Sequence, residues 1–191
     1  MKTNPSTEFV LLGALFSEPK HGYQIIQFLQ SSLESTWQVS TSQLYVLLRR
    51  LEKDGLLQSR LKTQEMRPSK RIFSLSVKGK NAFLKWLKSP VEHIRDLRIE
   101  FLAKLFFSQR LSLSEGSELV EKQLTFLKKA GENLKKNYEE ESDSFNKMVY
   151  EIKWMTIDTW KKWLQKHADN IRSGFKTSDQ VQGSREAGLH T

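Results

Sequence analysis

No cysteine occurs anywhere in these 191 residues. That excludes disulfides, thiol nucleophiles and thiolate metal sites, and it fits a reducing, cytoplasmic setting. Histidine is scarce as well. His21, His93, His167 and His190 are scattered, and none stands at ligand spacing with another histidine or a carboxylate, so no metal site is expected. Long apolar runs are missing: none approaches the roughly 18 residues of a membrane span, and the N-terminus lacks the apolar segment of a signal peptide. There is no nucleophile elbow, no P-loop and no glycine-rich dinucleotide turn. These absences argue against an enzyme, so no catalytic residue is assigned and no cofactor is expected.

What is present is enough apolar material for one domain or two small ones. Apolar residues make up 38% of the chain, with eleven Phe and five Trp among them. The net charge of +9 is unevenly spread. Residues 1–90 hold 14 Lys and Arg against 6 Asp and Glu, a net +8; residues 91–191 hold 17 against 16, a net +1. Within 40–80 alone there are ten basic and three acidic residues. Basic residues displace counterions from a polyphosphate backbone, so charge gathered on one short stretch points to nucleic acid more than charge spread over a solvated surface.

That stretch has a readable layout. Leu44, Leu47, Leu48 and Leu51 recur at helical spacing, and Ser40, Thr41 and Ser42 before them offer N-cap oxygens. Asp54 and Gly55 stop the helix, glycine being at ease in a left-handed C-terminal position. Two strand-like runs follow, Leu57 to Gln64 and Lys70 to Ser76, around a polar hairpin tip at 65–69. Helix, turn, strand, basic loop, strand is a winged helix-turn-helix layout. With the Leu stripe inward, Ser42, Tyr45, Val46, Arg49 and Lys53 point outward, a small, polar and basic face suited to a DNA groove. Ser42 and Gln43 are placed to touch base edges, while Arg49 and Lys53 suit phosphates; Ser42 serves equally well as a second cap. Arg67, Lys70 and Arg71 flank the hairpin tip, and Arg71 has the alternative of pairing with an acidic neighbour.

The rest of the chain reads as mainly α. Ser6 or Thr7 caps an apolar helix through Phe9, Leu12, Leu15 and Phe16, ended by Pro19; a second helix spans about His21 to Leu33, with Ile25, Ile26, Leu29 and Leu33 inward. His21 reads as a helix-start residue. Ser76 caps a fourth helix through Gly79, Phe83, Trp86 and Leu87, and Pro90 marks a boundary. Beyond it come a helix over about 92–109 with Ile94, Leu97, Phe101 and Leu105 inward, and a long helix to about Glu141 introduced by a Ser112/Glu115 capping box. Val120, Leu124, Leu127, Leu134 and Tyr138 stripe that helix at heptad-like spacing. A last helix to about Arg172 carries Phe145, Met148, Ile152, Met155, Thr159 and Trp163 on one side, with Trp154 and Trp160 elsewhere. Two such helices cannot both bury their stripes without pairing or meeting a second subunit. Dimerisation is the expected purpose, with Val120, Leu124, Leu127, Leu134, Ile152, Met155 and Trp163 at the interface; a lone antiparallel pair folding back on the winged domain is the alternative. The organisation expected is a winged helix-turn-helix domain over 1–89, a helical dimerisation and effector region over 90–172, and a disordered tail over 173–191.

The segments KHGYQIIQFL at 20–29, VSTSQLYVLLRRLEKDGLL at 39–57 and MRPSKRIFSLSVKGKNAFLKWL at 66–87 together resemble the PadR family of bacterial transcription regulators. RDLRIEFLAKLFF at 95–107 is similar to the opening of the helical region in its longer members. The resemblance implies a cytoplasmic, homodimeric winged-helix repressor that binds a palindromic operator on double-stranded DNA and releases it on binding a small molecule. It implies that the helix 41–53, beginning at Thr41, enters the major groove. It further implies that the hairpin 62–71, with Lys62, Arg67, Lys70 and Arg71, lies along the backbone or in the minor groove. Tyr45 becomes a phosphate contact by the same resemblance, and Tyr23 and Lys20 contacts at the start of the second helix. The chain departs from the family pattern at Val46, where many members have Pro, and at Thr41-Ser42, which replaces a Pro/Gly-containing turn.

For an effector, Trp37, Phe101, Trp154 and Trp160 offer aromatic faces for a small aromatic or apolar ligand, and equally suit core or interface. A different class of function, a winged-helix scaffold that pairs with protein, calls for exposed apolar anchors on the outward helix face, where Val46 alone qualifies. Nonspecific coating of nucleic acid calls for stacking aromatics, where only Tyr45 qualifies.

Overall fold

A computed structural model describes residues 5–33, 37–64, 67–112 and 114–173, with side chains described at all of these except 5, 63, 64, 67 and 68. Residues 1–4, the centre of the expected hairpin tip at Glu65 and Met66, and the tail from residue 174 lie outside the described residues. The chain divides into two compact units, one of Met1–Ser89 with Asp96–Phe107 and one of Pro90–Arg95 with Ser108–Thr191. The fold class is mainly α with a small antiparallel sheet, and no helix among the described residues is long and apolar enough to cross a membrane.

In the first unit α1 (Pro5–Ala14), β1 (Lys20–His21), α2 (Gly22–Leu33), α3 (Thr41–Lys53), β2 (Leu57–Gln64), β3 (Arg67–Leu75) and α4 (Val77–Lys88) follow in order. The expected hairpin gains a third strand, because β1 pairs antiparallel with β3 and the sheet order is β1-β3-β2. Two residues bounded by Pro19 and a helix are too few to show a period-2 pattern, so this strand has no signature in the sequence. β3 also begins earlier than the alternation suggested, at Arg67.

All four leucines of the α3 stripe are buried, with Val10, Leu11, Leu12, Ile25, Leu29, Leu57, Phe73, Phe83 and Leu87 around them. Each fully buried side chain of this size contributes about 1.5–3 kcal/mol. Helix α3 is held at both ends. Ser40 is its N-cap, accepting from the Gln43 backbone N–H at 3.3 Å, and the Gln43 side chain accepts in return from the Ser40 N–H at 3.2 Å. At the other end Gly55 takes φ +72°, its N–H donates to the Glu52 carbonyl, and the Leu56 N–H donates to the Leu51 carbonyl. That is a Schellman closure, and it turns the chain into β2. Ser76 caps α4 by accepting from the Gly79 N–H at 2.9 Å. Glycine is required at 79: a Cβ there would stand 2.0 Å from the Leu56 carbonyl oxygen, so the helix could not lie against the turn after α3.

Ser6 lies inside α1 rather than capping it. Its hydroxyl donates to Glu100 at 2.5 Å instead of closing the helix end. The single helix expected over 92–109 is three pieces: a 3-10 turn at Ile94–Asp96, a π turn at Leu97–Phe101, and α5 (Leu102–Arg110). Leu97, Phe101 and Leu105 are buried as the spacing suggested, but a spacing of four does not by itself separate an α turn from its wider and tighter relatives.

The second unit is built on α6 (Glu115–Glu140) and α7 (Ser144–Arg172), an antiparallel pair joined by residues 141–143. Asp143 caps α7 by accepting from the Asn146 N–H at 2.8 Å. The expected Ser112/Glu115 box does not form. Ser112 is in the left-handed region at φ +50°, and α6 starts after Ser114, whose side chain makes no capping bond. Leu119, Val120, Gln123 and Leu127 of α6 and Ile157, Leu164, Ala168 and Ile171 of α7 form the buried seam. Gln123 clamps the segment before the 3-10 turn: its side-chain oxygen accepts from the Val91 N–H at 2.7 Å and its amide donates to the Val91 carbonyl at 3.0 Å.

Candidate nucleic-acid interface

The outward face of α3 is set by its inner one. Burying Leu44, Leu47, Leu48 and Leu51 leaves Thr41, Ser42, Tyr45, Val46, Arg49 and Lys53 exposed. Gln43 is half-buried and its side-chain oxygen is committed to the cap, which restricts it as a reader of bases. The Ser42 hydroxyl is 3.2 Å from that of Ser40, so both readings of Ser42 survive.

Tyr45 leans on the start of α2. A Cβ at Gly22 would stand 2.5 Å from the Tyr45 hydroxyl, so glycine there lets the ring settle against the helix N-terminus. Tyr23 is exposed beside it. His21 opens α2, its N–H donating to the Gln24 side chain at 3.1 Å. Lys20 is drawn instead to Glu18, at 2.7 Å.

The β2–β3 register sorts the wing residues by face. Leu57, Ser59, Leu61 stand opposite Leu75, Phe73, Arg71 on the face that carries the core, whereas Gln58, Arg60, Lys62 stand opposite Ser74, Ile72, Lys70 on the other. Arg71 therefore turns toward α3. Its guanidinium donates to Glu52 at 2.7 Å and to the Ser59 hydroxyl at 2.7 Å, and Ser59 donates to Glu52 at 2.5 Å. The Ser59 hydroxyl, and then Arg71, hold the Glu52 carboxyl below its ordinary range. Arg71 makes the pairing with an acidic neighbour that was one of its two expectations. The Arg67 side chain lies outside the described residues.

Several basic side chains are thus already spent: Arg71 on Glu52, Arg50 on Glu8, Lys20 on Glu18, and Lys78 on the Asp54 carbonyl. Arg49, Lys53, Arg60, Lys62 and Lys70 are exposed and have no ion-pair partner among the described residues. Arg60 was missed by sequence reasoning; only the strand register reveals that it shares a face with Lys62 and Lys70.

In the second unit α6 turns much of its expected stripe inward, whereas α7 buries a different face from the one expected. Val120 and Leu127 are fully buried in the α6–α7 seam of a single chain, so they are not available to a second subunit; Leu124 and Leu134 are half-buried. The α7 stripe of Phe145, Met148, Ile152, Met155 and Trp163 stays outward, with Ile152 61% and Met155 52% exposed. α7 is apolar on two sides, and the seam takes the other one. Phe101 is fully buried in the first unit, and Trp37 lines a small cavity there with Ile26, Leu29 and Val39. Trp154 lines a groove of about 550 Å³ between α6 and α7 with Leu124, Gly131 and Ile157, rimmed by Lys128, Lys135 and Lys161. Trp160 packs edge-on against Trp163 instead. Among the described residues no three His, Asp or Glu side chains gather where they could hold a metal ion.

This chain is 30% identical over 120 residues to the negative transcriptional regulator PadR of Bacillus subtilis, an alignment that covers 61% of this chain and 64% of the relative. It therefore spans a little under two thirds of that relative's length. A crystal structure of Bacillus subtilis PadR in complex with operator DNA is similar at 24% identity and TM-score 0.47, over 89% of this chain and 99% of that one. A structure of the same regulator with p-coumaric acid is similar at 23% identity and TM-score 0.39, over 88% and 98%. Residues 11–85, which run from α1 through the wing into α4, match the model of the transcriptional regulator PadR-like family, and it is this stretch of the chain that is PadR-like.

Proposed function

We propose that the chain is a cytoplasmic, sequence-specific DNA-binding repressor that acts as a homodimer on a palindromic operator and leaves it on binding a small aromatic or apolar ligand. The observation that carries this reading is the set of cations with no ion-pair partner among the described residues. Lys62 stands directly opposite Lys70 on the outer face of the wing, both exposed, with Arg60 two residues away. Like charges opposite one another destabilise a sheet, and phosphate oxygens would relieve that cost. Arg49 and Lys53 on α3 extend the basic surface along a face whose middle is small and polar enough to enter a groove.

The exposed α7 stripe is the surface we assign to the second copy, since a soluble helix rarely leaves so long an apolar line uncovered. The Trp154 groove is the place we assign to the ligand: an aromatic wall and apolar floor beneath a lysine rim.

The test is a fluorescence-anisotropy titration with the DNA upstream of the protein's own coding sequence against a scrambled competitor, at two salt concentrations. Retained preference at the higher salt is the expected result; equal binding to both DNAs reduces the interaction to electrostatics, and no binding moves a protein-pairing role to the front. In the same assay Lys62→Ala and Lys70→Ala should weaken binding to every sequence and flatten the log–log salt slope by about 0.9 each. An unchanged slope in both variants would remove the wing from the interface.

A further inference from the structure

Val46 is out of keeping with its surroundings. It sits in the middle of the outward face of α3, 63% exposed, between Ser42 on one turn and Arg49 on the next. Its neighbour Tyr45 is also exposed, at 39%, but the end of that ring is engaged with Gly22. Val46 is therefore the apolar group that stands freest on α3. Its β-branched side chain has one strongly preferred rotamer in a helix, so its two methyls are presented in a fixed direction. In the major groove the apolar feature of a base edge is the C5-methyl of thymine.

We infer that Val46 is a specificity-determining residue that reads the C5-methyl of a thymine in the operator. The inference rests on the reading of α3 as the groove-entering helix and adds to it the base and the atom that this chain selects. Ser42 and Arg49, one turn to either side, supply hydrogen bonds, and neither distinguishes thymine from uracil. Valine does, because removal of one methyl changes no donor or acceptor and takes away only apolar contact.

The experiment starts from a binding site enriched from random duplex DNA by the full-length protein. Each thymine of that site is replaced in turn by deoxyuridine, and affinity is measured for the wild type and for Val46→Ala. The expected result is one thymine, repeated in each half-site, whose demethylation weakens wild-type binding about three- to tenfold, the scale of one buried methyl pair. The same replacement should leave Val46→Ala unaffected. A methyl effect of equal size in both proteins, or no methyl effect at any thymine, overturns the inference while leaving sequence-specific binding intact. If no sequence is enriched at all, the repressor reading itself falls and the inference falls with it. Alanine is a strong helix former at an exposed position, so loss of folding does not confuse the comparison.

Discussion

Replacing Lys104 with methionine is expected to cost the first unit about 3–5 kcal/mol of stability, the scale for breaking a buried ion pair from one side. Lys104 is fully buried, with its ammonium 2.9 Å from Glu100, 2.8 Å from the Ser89 carbonyl and 3.1 Å from the Ser89 hydroxyl. It also lies 5.0 Å above the centre of the Trp86 ring. The Glu100 carboxylate accepts from the Ser6 hydroxyl at 2.5 Å and from the Trp86 indole at 3.0 Å, so one carboxylate ties α1, α4 and the π turn together. Methionine keeps the volume and removes the charge, leaving that carboxylate in a poorly solvated place without its cation. Urea unfolding followed by circular dichroism would measure the loss, and adding Glu100→Gln should recover much of it. A loss below about 1 kcal/mol would mean that Glu100 is already well served by water.

The same cluster sets the sign of an acid dependence. Burial pushes the Glu100 carboxyl up, but the Ser6 hydroxyl and Lys104 outweigh it and hold the group below its ordinary value of 4.5. A lowered folded-state value means that the stabilisation is complete above about pH 4.5 and is lost as pH falls through the folded value. In Lys104→Met the lowering weakens, so acid unfolding should begin at higher pH than in the wild type.

If the proposed homodimer closes through the α7 stripe, the double change Ile152→Glu with Met155→Glu should separate it into monomers and lower affinity for a full palindromic site by about a hundredfold or more. Both side chains are outward in the single chain, so the α6–α7 pair should keep its fold. In a dimer closed through this stripe each protomer would bury two carboxylates against apolar surface, which the association cannot offset. The loss in DNA binding follows from geometry. Two linked readers on two half-sites gain about 10²–10⁴ from effective concentration, and monomers forfeit it. Sedimentation would report the mass, and a single half-site should bind both proteins alike. A wild type that sediments as a monomer removes the proposed homodimer, and a variant that stays dimeric removes the α7 stripe as its interface.

Legibility from sequence followed the number of faces an element uses. Helix α3 has one apolar stripe and one polar face, so Leu44, Leu47, Leu48 and Leu51 could be placed without knowing their partners. The turn at Gly55 and the cap at Ser76 are local events with local signatures, and they too were readable. Helix α7 has apolar residues on two sides. Periodicity picks out Phe145 to Trp163 as readily as Ile157 to Ile171, and only the packing of α6 decides which of them is covered. Pairings between distant residues were silent: nothing in the chain marks Glu52 as the partner of Arg71, or Ser6 and Trp86 as the donors to Glu100 beside the buried Lys104. The division of the wing's cations into committed and free was hidden for the same reason.

The Glu100–Lys104 cluster sits in a stretch, Asp96–Phe107, that belongs to the first unit although Pro90–Arg95 before it belongs to the second. The boundary is therefore interleaved. Chimeras that join residues 1–89 of this chain to the second unit of a relative at Pro90 would draw Phe101, Lys104 and Phe107 from the wrong parent. Exchanging the first unit intact calls for moving two stretches at once, with the clamp at Val91 left to its own α6.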